Sequence, residues 1–203
     1  MEKETLDFVR RMALMAEYRD EDAAQHRERV RNYCQLITHC LGLSNQQSEV
    51  ISVASYLHDI GKIGLPESIS NKAGDLTAYE WDVMKRHTTI GASLLKGSSS
   101  VVLQVAETMA LTHHERWDGS GYPSALRGEE IPLSGRICAL ADVFDALTTP
   151  RNYKKEISLE EAMTLVRDSS GHLFDPSIVA VFLDSASEVQ KIQSTVYTAL
   201  LAG

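Results

Sequence analysis

Histidine and aspartate are the residue types in this sequence whose placement points most directly to chemistry. Five of the seven histidines stand at a polar edge or end of an otherwise apolar helical segment, namely His26, His58, His87, His113 and His114. Imidazole and carboxylate groups form a ligand set that suits first-row transition metals, and His58 is followed directly by Asp59. A histidine at a helix C-terminus is also a favourable partner of the helix dipole. For each residue considered separately, a metal site and an ordinary helix-end histidine are therefore two alternatives.

Asp142 adds to this pattern because it lies inside the apolar stretch 137–147. Burying a carboxylate among apolar neighbours is costly unless it is paired or binds a cation. Two divalent ions about 3.5–4 Å apart can bind a phosphate between them and generate hydroxide. The remaining histidines, His39 and His172, lack this context and are interpreted as ordinary helix-end residues.

Helices are the elements that must position these side chains. Apolar residues recur at steps of three or four along most of the chain, whereas strand-like alternation is scarce. The pattern predicts an all-α domain of roughly eight helices packed by their apolar faces. These helices are expected over 4–18, 22–41, 46–60, 77–96, 101–114, 134–148, 158–169 and 176–200.

Composition excludes several classes of protein. With 43% hydrophobic and 24% charged residues among 203, the chain is typical of one globular domain rather than a disordered protein. A net charge of −8 argues against a general nucleic-acid binder. No apolar run could span a bilayer, and the charged segment 1–12 does not resemble a secretory signal. Cys34, Cys40 and Cys138 are an odd number without a CxxC pair, which predicts reduced thiols in a cytoplasmic protein.

Two longer motifs resemble the HD-GYP family, a subgroup of the HD-domain metal-dependent phosphohydrolases. They read HDIGKIGLP over 58–66 and HHERWDGSGYP over 113–123. The family takes its name from the His-Asp pair and from a Gly-Tyr-Pro sequence, which stands here at 121–123. The similarity extends from about Asp20 to Pro176, almost the whole chain.

This resemblance implies an HD-domain helical bundle with a long Gly-Tyr-Pro loop, in residues 21–203, preceded by a connector helix over 1–20. It also implies an enzyme that hydrolyses the bacterial second messenger cyclic di-GMP. The expected product is the linear dinucleotide pGpG, with GMP as a further product in some members. A hydroxide that bridges two metal ions would attack the phosphodiester, and cyclic GMP–AMP is an alternative substrate.

The resemblance further implies two divalent transition-metal ions, with iron or manganese favoured over nickel or zinc. Asp59 would bridge the two ions. An aspartate, Asp22, stands where some members have a glutamate that binds a third ion, and its side chain is one methylene shorter, so a third ion stays an open alternative. The remaining ligands would be His26, His58 and Asp142 for one ion, and His87, His113 and His114 for the other.

Substrate contacts and partners also follow from the resemblance. Lys62 would contact the scissile phosphate or the bridging water, Arg151 and Lys154 would contact phosphate, and Tyr122 would shape the guanine pocket. Without the resemblance, Arg151 and Lys154 fit a solvated surface turn equally well. The expected partners are a cyclic dinucleotide, an upstream receiver or sensory domain, and a protein of the diguanylate cyclase type, with no DNA and no membrane.

Two other functions remain as alternatives. The first is a signalling module that binds cyclic di-GMP or a partner protein and turns it over slowly or not at all. The second is an HD-type enzyme that cleaves another nucleotide or an alarmone. Because every expected ligand position carries a suitable side chain, an active cyclic-dinucleotide phosphodiesterase is favoured over both.

Overall fold

Helices make up nearly all of the regular structure in the computed structural model of the chain. It describes residues 3–16, 23–72, 74–149 and 156–195, and no β-strand occurs within these ranges. The all-α class predicted from the sequence is therefore confirmed.

Eleven α-helices lie within the described residues. No helix among them combines the length and the apolar character that crossing a membrane requires. Short 3-10 segments cover Ser55–Leu57, Ile60–Gly64 and Gly128–Glu130. The α-helices are α1 (Lys3–Ala16), α2 (Ala23–Cys40), α3 (Asn45–Ala54), α4 (Glu67–Ser70), α5 (Ala78–Met84), α6 (His87–Leu95), α7 (Val101–Thr112), α8 (Leu133–Thr148), α9 (Leu159–Asp168), α10 (Pro176–Asp184) and α11 (Ala186–Ser194).

The helix predicted over 77–96 is divided into α5 and α6. Between them the chain changes to tighter hydrogen bonds that span three residues instead of four. The amide of Arg86 donates to the carbonyl of Val83, and the amide of Thr88 donates to that of Lys85. Such a 3-10 turn redirects the helix while the apolar spacing continues through it, so the sequence pattern gave no sign of the break.

Two other predicted helices also differ from the structure. The helix expected over 176–200 is divided at Ser185, whose hydroxyl donates to the carbonyl of Val181 and ends α10. The helix expected over 46–60 ends at Ala54 and continues as two 3-10 segments. This tightening places the motif 58–66 at a helix end rather than inside a helix.

The hydrophobic core lies between α2, α3, α7, α8 and α10. The rings of Tyr33, Phe144 and Phe182 meet edge to face at its centre, with centroids 4.8–6.0 Å apart. Aromatic pairs of this geometry contribute about 0.5–1.5 kcal/mol each beyond the area they bury. Because α2 and α8 also carry candidate ligands, this packing fixes one side of the site.

Helix α1 packs against the segment that leads into the first motif. Val9 and Ala13 of α1 are buried in the core. The guanidinium of Arg10 donates to the hydroxyl of Tyr56 at 3.0 Å and lies 3.1 Å from the carboxylate of Glu28. The assignment of residues 1–20 as a connector stays a prediction, since this packing does not test it.

Candidate metal centre

Seven side chains from distant parts of the chain converge into two adjacent groups within the described residues. In each group the nitrogen or oxygen atoms that could bind an ion all lie within 4.8 Å of one another. We call them the His87 group, which is Asp59, His87, His113 and His114, and the His26 group, which is His26, His58 and Asp142.

Asp59 stands between the two groups. Its Oδ1 lies 3.3 Å from Nε2 of His87 and 3.7 Å from Nε2 of His113. Its Oδ2 lies 3.4 Å from Nε2 of His58. One carboxylate therefore presents one oxygen atom to each group, which is the orientation that a bridging ligand needs.

Main-chain carbonyls orient three of the imidazoles. The Nδ1 atoms of His58 and His87 lie 2.7 and 2.8 Å from the carbonyl oxygens of Ser55 and Met84, each three residues earlier. Nδ1 of His113 lies 3.1 Å from two carbonyls at the end of α7. A carbonyl oxygen only accepts, so each Nδ1 carries the hydrogen and each Nε2 directs a lone pair toward the cluster.

His26 is oriented by a side chain instead. Its Nδ1 lies 2.7 Å from Oδ2 of Asp145, a carboxylate with no exposed surface. The guanidinium of Arg29 donates to the same carboxylate at 2.5 and 3.1 Å. Nε2 of His26 is thereby directed at Oδ1 of Asp142, 3.5 Å away.

Sequence reasoning missed Asp145. It lies in the same apolar stretch as Asp142 and one helical turn away. The argument that a buried carboxylate needs a partner applies to it more strongly, because Asp145 is fully buried whereas Asp142 is partly exposed. The cost of burying a carboxylate therefore pointed to both aspartates. It did not indicate that Asp142 faces the ligand cluster while Asp145 orients His26.

Burial and neighbouring charges favour ionised carboxylates at Asp59 and Asp142 and neutral imidazoles at His87 and His114. Burial alone would raise the pKa of Asp59, but the charge of Lys62 together with the interactions of His58 and His113 outweighs burial and holds that pKa well below its ordinary value. Burial lowers the pKa of His87 to about 4 and that of His114 to about 2. Burial opposes ionisation of Asp142 as well, yet its neighbouring imidazoles bring its pKa to about 2. At neutral pH these groups are in the states that bind a cation.

The residues present fit a pair of divalent ions. Nε2 of His87 and Nε2 of His113 lie 3.4 Å apart, and both carry lone pairs because both Nδ1 atoms carry the hydrogen. Among the described residues, the buried Oδ1 of Asp59 has no hydrogen-bond partner. Lone pairs that converge in this way repel one another unless a cation lies between them. Nitrogen and carboxylate donors suit iron, manganese, nickel or zinc, so the set does not choose among them.

Gly61 explains how the first motif approaches α6 so closely. A Cβ atom at this position would lie 1.9 Å from the carbonyl oxygen of His87 and 2.4 Å from the amide nitrogen of Gly91. Only glycine permits this contact between backbones. It brings Asp59, two residues before Gly61, to His87 at the start of α6.

Lys62 lies beside the bridging carboxylate. Its Nζ is 2.5 Å from Oδ2 of Asp59, three residues earlier along a 3-10 segment. The side chain is about one-third exposed, so its ammonium group reaches both the cluster and the solvent-facing side.

The Gly-Tyr-Pro loop folds back onto the end of the His87 group. The ring of Tyr122 stacks on that of His114 with centroids 4.8 Å apart and planes 25° apart. The amide of Tyr122 donates to the carbonyl of His114 at 3.2 Å. A Cβ at Gly121 would lie 2.4–2.6 Å from the backbone of residues 114–116, so this approach also requires glycine.

Glu115 is a second residue to which sequence reasoning gave no function. It is buried, and its two carboxylate oxygens accept hydrogen bonds from the amides of Ser124 and Leu126 at 2.7 and 3.2 Å. These bonds fix the loop just after Tyr122. Because they join residues nine and eleven positions apart through an irregular loop, no helical or strand periodicity could have revealed them.

The structure thus brings together all seven predicted metal ligands that it describes, with Lys62 and Tyr122 beside them. Three further predicted site residues lie outside the described residues: Asp22, Arg151 and Lys154.

Comparison with known proteins also indicates an HD domain. The HD domain family matches residues 10–178. The chain is 46% identical over 179 residues to a cyclic di-GMP phosphodiesterase of Thermotoga maritima, covering 88% of this chain and 49% of that protein. It is 40% identical over 189 residues to the 3′3′-cGAMP-specific phosphodiesterase 2 of Vibrio cholerae, covering 93% of this chain and 36% of that protein. The chain therefore spans half or less of the length of these two relatives.

A solved structure shares the fold. The HD domain of the phosphodiesterase PgpH of L. monocytogenes, solved in complex with cyclic-di-AMP, has a TM-score of 0.63 and 16% sequence identity. The match covers 94% of this chain and 99% of that one.

Proposed function

The chain belongs to the HD-domain family, and on that premise we propose that it hydrolyses cyclic di-GMP to pGpG, with GMP as a further product. The observation that carries this proposal is the position of Asp59, with one carboxylate oxygen toward each of two convergent ligand groups. A phosphodiester is negatively charged and resists attack by hydroxide, so its hydrolysis needs concentrated positive charge. Two adjacent bound cations would provide this positive charge in a protein whose net charge is negative.

Two divalent ions, iron or manganese, are the proposed cofactors. When bound, such ions lower the pKa of a shared water molecule and neutralise charge on the phosphate oxygens. Asp59 would contact both ions. The other ligands would be His26, His58 and Asp142 on one side, and His87, His113 and His114 on the other.

The side chains around the ions have separate functions. Asp145 keeps the hydrogen of His26 on Nδ1, which leaves Nε2 available to an ion. The ammonium group of Lys62, beside Asp59, is placed to donate a charge-assisted hydrogen bond to the scissile phosphate. Arg151 and Lys154 are proposed as further phosphate contacts, and Tyr122 as a wall of the base pocket.

Cyclic di-GMP is favoured as substrate, and cyclic GMP–AMP is the second candidate. The relative from Thermotoga maritima, named for cyclic di-GMP, shares 46% identity. The relative from Vibrio cholerae, named for 3′3′-cGAMP, shares 40% but aligns with 93% of this chain. These two substrates differ in one base only, so the shared metal chemistry serves either of them.

Regulation through α1 belongs to the same proposal. We infer that residues 1–20 connect residues 21–203 to an upstream receiver or sensory domain in the cytoplasm, and that a protein of the diguanylate cyclase type is a further partner. The contact of Arg10 with Tyr56, two residues before His58, supports a path from α1 to the ligands. A third ion at Asp22 stays a prediction, because that residue lies outside the described ones.

The test is hydrolysis by protein loaded anaerobically with ferrous iron or manganese. Cyclic di-GMP and cyclic GMP–AMP are supplied separately, and products are separated by chromatography, with chelator-treated protein as the control. Formation of pGpG that requires metal is the expected result, with a higher kcat/KM for cyclic di-GMP. Protein that carries two ions, binds cyclic di-GMP and releases no linear product would overturn the proposal in favour of a binding module.

A further inference from the structure

Three aromatic rings lead from the His87 group to the protein surface. Tyr122 stacks on His114, and the indole of Trp81 meets the edge of Tyr122 with centroids 6.2 Å apart and planes 80° apart. Trp81 belongs to α5, whereas Tyr122 belongs to the Gly-Tyr-Pro loop. Two segments distant in sequence thus place aromatic rings side by side next to the ligand cluster.

Trp81 is 47% exposed, although it lies on a well-anchored helix. Thr77 caps α5 by accepting a hydrogen bond from the amide of Glu80, and the carboxylate of Glu80 bonds back to the amide of Thr77. Nζ of Lys72 lies 2.6 Å from the same carboxylate. The backbone that carries the indole is therefore anchored, and the exposure of Trp81 is not a consequence of fraying at a helix end.

Isolated exposed apolar side chains are common on protein surfaces and need no explanation. Trp81 differs because it extends an aromatic wall that begins at a candidate metal ligand. Exposed apolar surface beside a polar cleft is typical of a ligand-binding site. The phosphodiester substrates proposed for this ligand cluster carry two purine bases, and each base has a flat face that stacks on aromatic side chains.

We propose that Trp81 is a substrate-binding residue, on whose exposed indole face one base of the cyclic dinucleotide stacks while the phosphodiester lies at Asp59. This inference rests on the proposed function and adds a base-binding residue to it. Stacking does not distinguish one base from another as hydrogen bonding does. Trp81 therefore increases affinity for both candidate dinucleotides and leaves the choice between them to other contacts.

Steady-state kinetics on the metal-loaded protein test this assignment. Trp81→Ala is expected to raise KM for cyclic di-GMP about tenfold or more, the effect of losing one base–aromatic stack, and to leave kcat within about twofold. Trp81→Phe, which keeps a smaller ring, is expected to raise KM less. Tyr79→Ala is the matched control, because Tyr79 lies on the same helix and is 74% exposed.

Intrinsic fluorescence provides a readout that a merely structural residue would not change. The sequence has two tryptophans, and the other one, Trp117, packs under Arg136. In a Trp117→Phe protein, rapid mixing with cyclic di-GMP is expected to quench the emission of Trp81 before turnover.

The outcomes separate this inference from the proposed function. If the wild-type protein hydrolyses cyclic di-GMP while Trp81→Ala keeps the wild-type KM, or while Trp81 emission is unchanged, the inference about Trp81 is wrong and the function stands. If Trp81→Ala instead lowers kcat and metal content together, Trp81 supports the ligand cluster and does not bind a base. If the wild-type protein forms no product, the proposed function itself fails.

Discussion

The two ligand groups share Asp59 but are oriented by different means. The histidines at the end of α7 and the start of α6 project from helix ends, and main-chain carbonyls fix the imidazoles of His87 and His113. His26 lies within α2, and the buried carboxylate of Asp145 fixes it. His26 therefore differs from His87 and His113, because side-chain charge rather than backbone geometry orients it, whereas its neighbour His58 is oriented by a backbone carbonyl.

This difference predicts separate weaknesses. The His87 group depends on close backbone packing, which the glycine contact between Gly61 and α6 allows. The His26 group depends on the buried ion pair of Asp145 with Arg29. One substitution in each support should therefore disable mainly one group, whereas a change at the shared carboxylate should disable both.

The largest effect is expected from Asp59→Ala. Because Asp59 faces both groups, both ions should be lost and hydrolysis of cyclic di-GMP should fall to background. Elemental analysis and product chromatography measure the two effects. Asp168→Ala, at an exposed aspartate of α9, serves as the control. A variant at Asp59 that kept two ions would contradict its bridging position.

Gly61→Ala should disable mainly the His87 group, by moving Asp59 away from His87. The added methyl group would lie 1.9 Å from the carbonyl oxygen of His87, so the first motif must move away from α6. A displacement of about 1 Å at a reacting centre reduces turnover by about 100-fold. The metal content should fall from two ions to one.

The matched control for this variant is Gly64→Ala. There the nearest atom to an added Cβ is a side-chain methyl carbon, Cγ2 of Ile90 at 2.8 Å, and no backbone atom is among the nearest contacts. If the variants at Gly61 and Gly64 lost equal activity, close packing of the backbone would not be the support of the His87 group.

Asp145→Asn should weaken the His26 group alone. Replacing the carboxylate that orients a metal-binding histidine reduces metal affinity or activity by about 10- to 100-fold. Removing one partner of a buried ion pair also costs about 3 kcal/mol or more of stability. Metal titration and thermal unfolding measure the two effects separately.

Asp175→Asn controls for the loss of stability. Asp175 is buried and paired with Arg136 at 2.5 Å, as Asp145 is with Arg29, but it does not contact the cluster. Both variants should melt at lower temperature, and only the variant at Asp145 should lose metal affinity. Equal metal loss in both would show that general destabilisation, rather than orientation of His26, explains the result.

The smallest effect is expected from Lys62→Ala. Loss of a charge-assisted hydrogen bond to phosphate should reduce turnover about tenfold. Metal content should stay normal, because removing the ammonium group leaves Oδ2 of Asp59 open to a cation. Lys85→Ala, at another partly exposed lysine paired with an aspartate, is the control. If the variant at Lys62 lost metal, its assignment to the phosphate would be wrong.

The sequence predicted the ligands better than their supports. Candidate ligands could be identified because imidazole and carboxylate side chains carry their chemistry in their residue type, and the resemblance to the HD-GYP family implied their grouping. Backbone carbonyls orient His58 and His87. Every residue has such a carbonyl, so no sequence pattern distinguishes the ones that act as supports. Glu115 and Trp81 contact the Gly-Tyr-Pro loop across irregular segments, so no periodicity revealed them.

The helical class was also predictable, whereas helix ends were not. Apolar spacing continues through the turn between α5 and α6 and also through Ser185, where α10 and α11 both pack against the same core. Local hydrogen bonds decide those breaks. The break before α6 matters for the site, since it places His87 in the first turn of a helix, with its Nδ1 bonded to Met84.

The most direct test of the central claim is anomalous diffraction from crystals of the wild-type protein loaded with manganese or iron. Two ions are expected, one on each side of the Asp59 carboxylate, the first in contact with His26 and the second with His87. A single ion, or two ions of which neither contacts Asp59, would contradict that claim.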